Sequence, residues 1–412
     1  MLQSLEKLSD DANYDVVIVG AGMVGASTAL GIVDLGLSVL LVDSFAFKDE
    51  SDSYTPSYDA RSTAISWGSR DILEKLGVWS AVSEYAMPIS NVHVSEKGRF
   101  GVTRISADEL KHDALGYVVP NQWLGQCLLK QLADKHVSLC APAKVVQLET
   151  SGVRQQIQLE GLDSSSAISR NIEARLVIIA DGSCSSTAKL LGIDNDIETY
   201  GQHAVIANVT TELPNAGIAY ERFTKKGPLA LLPLTENTSA LVWTHDSHNI
   251  QDYLEMSDQN FCEELQSAFG ERLGKVTRCG VRNAYPLRLV RAKEQCRVGV
   301  LLLGNAAHSL HPVAGQGFNL ALRGVAACLE MIKSKPEDFG GLAQLKQLQD
   351  SLSIDQTKTI TFSDQVVKLF GHQSLLVSLG RDIGLIALEN LPVLKSAFAS
   401  QAMGLAGKKA KF

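Results

Sequence analysis

The sequence predicts an α/β fold: an open, mostly parallel sheet with a β-rich region interleaved into it and a helical C-terminus. Three observations predict it. Asn13–Asp43 reads as strand, glycine-rich turn, helix and strand. Two further apolar runs, Leu176–Ala180 and Val298–Leu303, each lead into a glycine-containing turn, as strands buried on both faces do. Between them, His203–Asp246 breaks into the strand-like pieces His203–Val209, Ile218–Phe223, Leu229–Pro233 and Ser239–His245.

The first of these stretches carries the strongest signal. Val16–Val19 is β-branched and uncharged, and Gly20, Gly22 and Gly25 follow in G-x-G-x-x-G spacing. In such an arrangement the first glycine permits a tight turn, the second lets the backbone approach a pyrophosphate, and the third lets helix and strand pack closely. Met23–Leu35 has helical periodicity, and Gly36 can end the helix. The free amides and positive end of that helix face the phosphates. Ser38–Val42 is the second strand, and Asp43 stands at its carboxyl end, 23 residues after Gly20. A carboxylate there accepts hydrogen bonds from an adenosine ribose without a 2′-phosphate, so FAD or NAD is expected. The competing reading is a structural βαβ unit whose glycines only turn the chain.

Phe47–Ser57 reads as a loop, and Ser66–Leu76 as a helix ended by Gly77. Arg61, beside a cofactor loop, either meets a phosphate or flavin edge or makes a surface ion pair. Asn91–Ile105 alternates like sheet around a turn at Gly98, and Pro120–Ala133 reads as a helix with Asn121 as its cap. Strands are expected at Val137–Cys140, Lys144–Glu149, Val153–Leu159 and Asn171–Ala180. The last runs into Asp181-Gly182, placed where open α/β sheets bind ligands; Asp181 is alternatively a cap for the short helix Ser183–Leu191.

Tyr220, Phe223 and Trp243 either wall an apolar ligand cavity or fill ordinary sheet core, the commoner fate of any one aromatic. Arg222, Phe223 and Trp243 are the candidate substrate contacts. Ser257–Phe269 reads as a helix, and a further helix, Asn319–Lys333, follows the run Gly304–Leu320. Gly315 and Gly317 flank its start and leave amides open to negative charge on a cofactor ring. His308 and His311 are candidates for positioning or proton transfer. No third metal ligand is spaced near them and Pro312 breaks the geometry, so no metal is expected. Asp338–Phe370 reads as a long helix. Leu375–Met403 with the basic end Gly407–Phe412 either rests on an anionic membrane or docks on protein.

Length and composition bound the rest. At 412 residues, 45% hydrophobic and 20% charged, the chain has room for two domains of a soluble globular protein. A net charge of -7 argues against a nucleic-acid partner. Seven cysteines without a CxxC pair point to free thiols in a reducing compartment; Cys127, Cys184 and Cys328 read as packing residues. With no secretory signal and no apolar run long enough to span a bilayer, a cytoplasmic protein is expected, at most peripheral to the inner membrane.

Three separated motifs agree: the N-terminal βαβ, Ala180-Asp181-Gly182, and Gly304–Leu320. Together they resemble the class A flavoprotein monooxygenases of the para-hydroxybenzoate hydroxylase fold. DARSTAISWGS, ERFTKKGPLALLPL, CEELQSAFGERLGKV and GNAAHSLHPVAGQGFNLALRG narrow the likeness to the ubiquinone-biosynthesis hydroxylases, nearest to the 2-polyprenyl-6-methoxyphenol hydroxylases. The resemblance implies an FAD-binding, Rossmann-like domain from 1–90, 116–200 and 286–345, a substrate domain from 91–115 and 201–285, and a helical region over 346–412.

It implies that Gly20, Gly22 and Gly25 hold the FAD pyrophosphate, Asp43 the ribose, and Arg61 the cofactor. Asp181 and Gly182 would serve both FAD and the NADH or NADPH donor, Gly304 and Asn305 the ribitol. Gly315, Gly317, Phe318 and Asn319 would border the flavin pyrimidine through their backbones. The reaction implied is hydroxylation of a polyprenylated methoxyphenol by molecular oxygen through a flavin hydroperoxide, with other biosynthetic proteins as partners and oligomers allowed. Alternatives are hydroxylation at another ring position, an oxygen-independent FAD reductase or dehydrogenase, and a flavin-bearing scaffold. Two positions depart from the family pattern. Its Gly-Asp reads Gly304-Asn305, which keeps an acceptor and loses a charge. Its arginine six residues after the Asp-Gly glycine reads Ala188, followed by Lys189, a point charge in place of a planar fork.

Overall fold

A computed structural model describes residues 2–3, 5–46, 61–162, 168–310 and 315–371, and beyond these 384, 389–391, 395 and 403. The expected loop Phe47–Ser57, His311 and most of Leu375–Phe412 lie outside the described residues.

The centre of the molecule is the strand Ala12–Val19. Val16, Val17 and Ile18 have no exposed surface, and burying each stabilises the fold by about 1.5–3 kcal/mol. Val39–Val42 pairs parallel on one side and Ser169–Ile179 parallel on the other. Val300–Leu302 then adds parallel to Ser169–Ile179. The antiparallel strands Arg154–Gly161 and Ala143–Ser151 extend the sheet on the far side of Ser169–Ile179. Because side chains alternate along a strand, Val16 and Ile18 pack with the helices Met23–Asp34, Asn121–Asp134 and Gln316–Ser334. Val17 and Val19 face the opposite side, toward Leu148, Ile157 and Leu159.

The second large sheet is mainly antiparallel. It orders His308–Ser309, Asn283–Ala292, Asn195–Thr211, Thr238–Asp246, Gly227–Pro233, Ile218–Thr224, Asn91–Glu96 and Val102–Ser106, with Val276–Cys279 beside Asn195–Thr211. The helix Asp258–Phe269, capped by the Ser257 hydroxyl, packs Phe261 and Phe269 onto one of its faces. A three-stranded sheet, Ser62–Ser66, Gly116–Pro120 and Met87–Ile89, bridges the two large sheets.

Several boundaries differ from expectation. Asn121 is not a cap: it lies inside the helix Asn121–Asp134, whose N-cap is Pro120, and its side chain accepts from the Thr63 hydroxyl at 2.6 Å. The helix expected at Asn319 begins at Gln316, because Gly315 takes φ +60 and starts the turn early. The helix expected from Asp338 begins at Leu342, after Gly340 and Gly341. Among the described residues the cysteines are free, with Cys127 and Cys328 buried and Cys184 half-buried. No helix among them is long and apolar enough to cross a membrane.

Candidate functional site

Three loops emerge side by side at the carboxyl ends of adjacent parallel strands. Val19 is in register with Ile179, and Ile179 with Leu302. The segments that follow, Gly20–Gly22, Ala180–Gly182 and Gly304–Asn305, are therefore neighbours although far apart in sequence. They touch: a Cβ on Gly20, which sits at φ +102, would lie 2.5 Å from the Ala180 carbonyl oxygen, and one on Gly304 would lie 3.0 Å from Val24. Gly22, Gly182 and Asn305 line one cavity of about 540 Å³, together with Gly315, Gly317, Phe318 and Asn319.

The glycines divide by task. A Cβ on Gly25 would meet the Gly20 oxygen at 1.8 Å, so Gly25 is demanded by helix–strand packing. A Cβ on Gly22 would meet nothing within 4 Å; the space before it is open to a group coming from outside. Gly22 caps the helix Met23–Asp34 without a side-chain hydrogen bond, so the first-turn amides remain available to an anion. Asp43 accepts from the Ala21 amide at 2.6 Å through one carboxylate oxygen and from the Phe45 amide at 2.8 Å through the other. It thus holds the glycine loop, and a carboxylate retains lone pairs for further donors.

Ser185 is the N-cap of the short helix, and Asp181 supports its first turn. One oxygen accepts from the Thr187 amide at 3.2 Å, in the first turn of Ser186–Leu190, and the other is buried with no hydrogen-bond partner. An orphaned carboxylate oxygen beside the glycine loops is the mark of an absent donor. These features fit a dinucleotide: an open cradle at Gly22, uncapped helix amides, and an acceptor awaiting a hydroxyl.

On the other side of the cavity Asn319, 2% exposed, closes a clamp. Its oxygen accepts from the Ser66 amide at 2.8 Å, and its amide donates to the carbonyls of Ala64 and Gly315 at 2.8 and 2.7 Å. The strand Ser62–Ser66 is thereby fixed against the uncapped N-terminus of Gln316–Ser334.

The remaining sequence candidates lie elsewhere. Arg61 is exposed, its guanidinium 5.1 Å from the Tyr285 ring centre. His308 is buried and does not line the cavity, although Asn305, Ser309 and Leu310 around it do. Burial holds its imidazole below the ordinary value, with the Arg323 guanidinium lowering it further. Arg222 and Trp243 are on the wrong face of the sheet for the cavity. Arg222 donates to the Ala268 carbonyl and the Ser95 hydroxyl, and Trp243 packs edge-on against Phe261 and Tyr253. Phe223 shares the cavity face beside the lining residue Pro228 but does not itself line the cavity.

The reason is spatial. Bulky rings such as Tyr220 and Trp243 fill the gap between sheet and helix Asp258–Phe269, whereas a cavity is left where residues are small. The sheet side of the cavity is accordingly built from Ala219, Ala230, Val242 and Ile206, which the sequence reading missed. Their strict alternation with Tyr220, Leu229, Leu231 and Trp243 was a usable signal, but both faces are apolar and the pattern does not say which one is open. Met403, 2% exposed, completes the wall beside Ile89, Ile105 and Leu115. Among the described residues no cluster of His, Cys, Asp or Glu is arranged to hold a metal ion.

Comparison with known proteins agrees with this geometry. The family described as FAD binding domain matches residues 13–332. The chain is 32% identical over 400 residues to the ubiquinone hydroxylase UbiL of Rhodospirillum rubrum, covering 96% of this chain and 91% of that protein. It is 32% identical over 397 residues to the 3-demethoxyubiquinol 3-hydroxylase of Escherichia coli, covering 95% and 98%. Its fold is shared with p-nitrophenol 4-monooxygenase PnpA from Pseudomonas putida DLL-E4, with a TM-score of 0.74 and 17% identity over 97% of this chain and 99% of that one.

Proposed function

Because the chain belongs to the FAD binding domain family, and within it to the ubiquinone hydroxylases, we propose that it hydroxylates a polyprenylated methoxyphenol in ubiquinone biosynthesis, using FAD, NADH or NADPH, and molecular oxygen. One observation carries the reading: a single cavity joins the glycine loops to an apolar sheet face. FAD supplies the oxygen-activating chemistry that no side chain here provides.

The chain's own residues do the rest. Gly20, Gly22 and the helix amides hold the pyrophosphate, Asp43 receives the adenosine ribose, and the free oxygen of Asp181 takes a cofactor hydroxyl. Gly304 and Asn305 reach the ribitol. The uncapped amides at Gly315–Phe318 face developing negative charge at a helix N-terminus. Ile89, Val92, Ile105 and Leu232 keep water from the reacting atoms. His308, pressed into the interior near Arg323, is assigned to packing. The segments 91–115 and 201–285 supply the substrate side.

The test is oxygen uptake by purified, FAD-loaded protein given a nicotinamide donor and a short-chain polyprenyl methoxyphenol. We expect consumption matched by a product heavier by one oxygen atom in mass spectrometry. Reduction of the substrate without oxygen uptake rules the reading out. The relative named for 3-hydroxylation of a demethoxyubiquinol favours a second reading, attack at that other ring position; supplying both precursors to the same protein separates the two.

A further inference from the structure

Two turns stand side by side at one end of the antiparallel sheet. Asn91–Glu96 and Ile218–Thr224 run parallel, with Glu96 in register with Phe223, so the segments Lys97–Phe100 and Lys225–Lys226 leave the sheet together. The Lys97 amide donates to the Phe223 carbonyl at 2.8 Å. Both turns are closed. In the first, the Arg99 amide donates to the Glu96 carbonyl at 3.3 Å and Gly98 takes φ +76, as the third position of a type II turn requires. In the second, the Thr224 hydroxyl donates to the Gly227 carbonyl at 2.8 Å and accepts from the Lys226 amide at 3.2 Å. Phe100 follows the first turn and, at 94%, is the most exposed large apolar side chain among the described residues.

A single exposed apolar residue needs no explanation by itself; the setting of this one supplies one. Lys97, Arg99 and Lys225 are exposed on the same two turns, on a chain whose net charge is -7. The nearby carboxylates lie to one side or below. Lys226 meets Glu264 at 3.6 Å, Asp246 ends the strand two places farther across the sheet, and Glu96 is half-buried before the first turn. A protein interface is built on a broad apolar core, whereas here one ring stands among a glycine and cations. That combination suits an anionic lipid surface, where a ring enters the acyl boundary and cations meet headgroup phosphates.

We propose that these two turns dock the protein on an anionic bilayer, with Phe100 entering the interface and Lys97, Arg99 and Lys225 meeting phosphates. Val94 and Pro228, the lining residues of their strands closest to the turns, carry the cavity to this end of the sheet. Docking here sets that end of the cavity toward the bilayer. Such docking does not depend on which ring the cavity takes.

The experiment is co-sedimentation of the full-length, FAD-loaded protein with vesicles of phosphatidylcholine, alone or mixed equally with phosphatidylglycerol. The wild type is expected to bind the mixed vesicles at least about tenfold more tightly than the neutral ones, and to lose that preference at high salt. Phe100→Ser should weaken binding about tenfold or more, the scale of one buried aromatic side chain. Lys97→Gln and Lys225→Gln should each weaken it about fivefold. Val153→Ser, at an exposed turn of the other large sheet, should leave it unchanged. Phe100→Trp should keep binding, with added fluorescence that brominated lipid quenches. Failure of the wild type to sediment with either vesicle overturns the assignment, as does equal binding to both. Binding unmoved in Phe100→Ser and Lys97→Gln, or added tryptophan fluorescence that brominated lipid leaves unquenched, also overturns it. If Phe100→Ser instead changes the molar mass in sedimentation equilibrium without vesicles, the turns meet a second copy of the chain and the lipid assignment falls.

Discussion

Gly20, Gly22 and Gly25 look equivalent in the sequence motif, and the structure separates them. Gly25 has no room for a Cβ, and Gly22 has nothing but room. Gly25→Ala is therefore expected to destabilise the protein by about 1–3 kcal/mol or more through overpacking, seen as a lower urea midpoint. Gly22→Val should keep the wild-type circular dichroism and urea midpoint yet elute colourless, its flavin-to-protein absorbance ratio near zero. A yellow Gly22→Val protein would contradict the cofactor site. A second residue-scale expectation concerns His245, which is 1% exposed and stacked 3.7 Å from the Tyr253 ring. Burial, with Lys226 nearby, pushes its imidazole down to about 3 from an ordinary 6.5. Between those values the unfolded chain binds a proton that the folded chain refuses. Stability is thus held above pH 6.5 and lost as pH falls through the window, at about 1.4 kcal/mol per unit for a fully shifted group. His93, pushed to about 4 chiefly by burial, acts in the same direction. Urea midpoints measured from pH 7 to 5 should fall, and His245→Phe, which keeps the ring stack, should flatten the slope.

Many elements were recognised from local pattern, although the alternating strand Asn283–Ala292 was not; their ends and orientations depended on distant partners. The helix Gln316–Ser334 begins in Gly-Gln-Gly, which reads as loop, and its start is secured by Asn319 bonding to Ser66 and Ala64, some 250 residues earlier. No window of sequence contains that contact. Asn319→Ala leaves the Ser66 amide and two carbonyls without their partner, and is expected to cost about 2–4 kcal/mol in urea titration and to weaken FAD retention. Asn319→Asp, which turns a buried carboxylate oxygen toward both carbonyls, should cost at least as much. The strands Ile218–Thr224 and Thr238–Asp246 teach the complementary lesson. Period-two alternation located them, but Arg222 and Trp243 turned out to serve the helix Asp258–Phe269 because that face, too, is covered.

At the scale of the molecule, the fold class and the meeting of three loops were legible, since each loop follows an uncharged apolar run and strands buried in a parallel sheet leave that trace. The cavity's far wall was not, because it is shaped by what small residues leave empty. Nor was the return of Met403, whose carbonyl accepts from the Gly68 amide at 3.1 Å; Arg104–Glu389 and Lys395–Glu109 ion pairs hold the neighbouring stretch against the same region. A cofactor seated across three loops should stabilise the whole chain by linkage. FAD at a thousandfold excess over its Kd is expected to add about 4 kcal/mol, read as a rise in melting temperature that Gly22→Val does not show. The cavity's size has one more consequence. About 540 Å³ spans both the glycine loops and the sheet face, which is the volume of a single drug-sized guest. Once an isoalloxazine takes its share, only an aromatic headgroup fits beside it. On the function proposed above, a prenyl tail is then expected to lie outside the cavity, and kcat/KM should be the same for substrates that differ only in tail length.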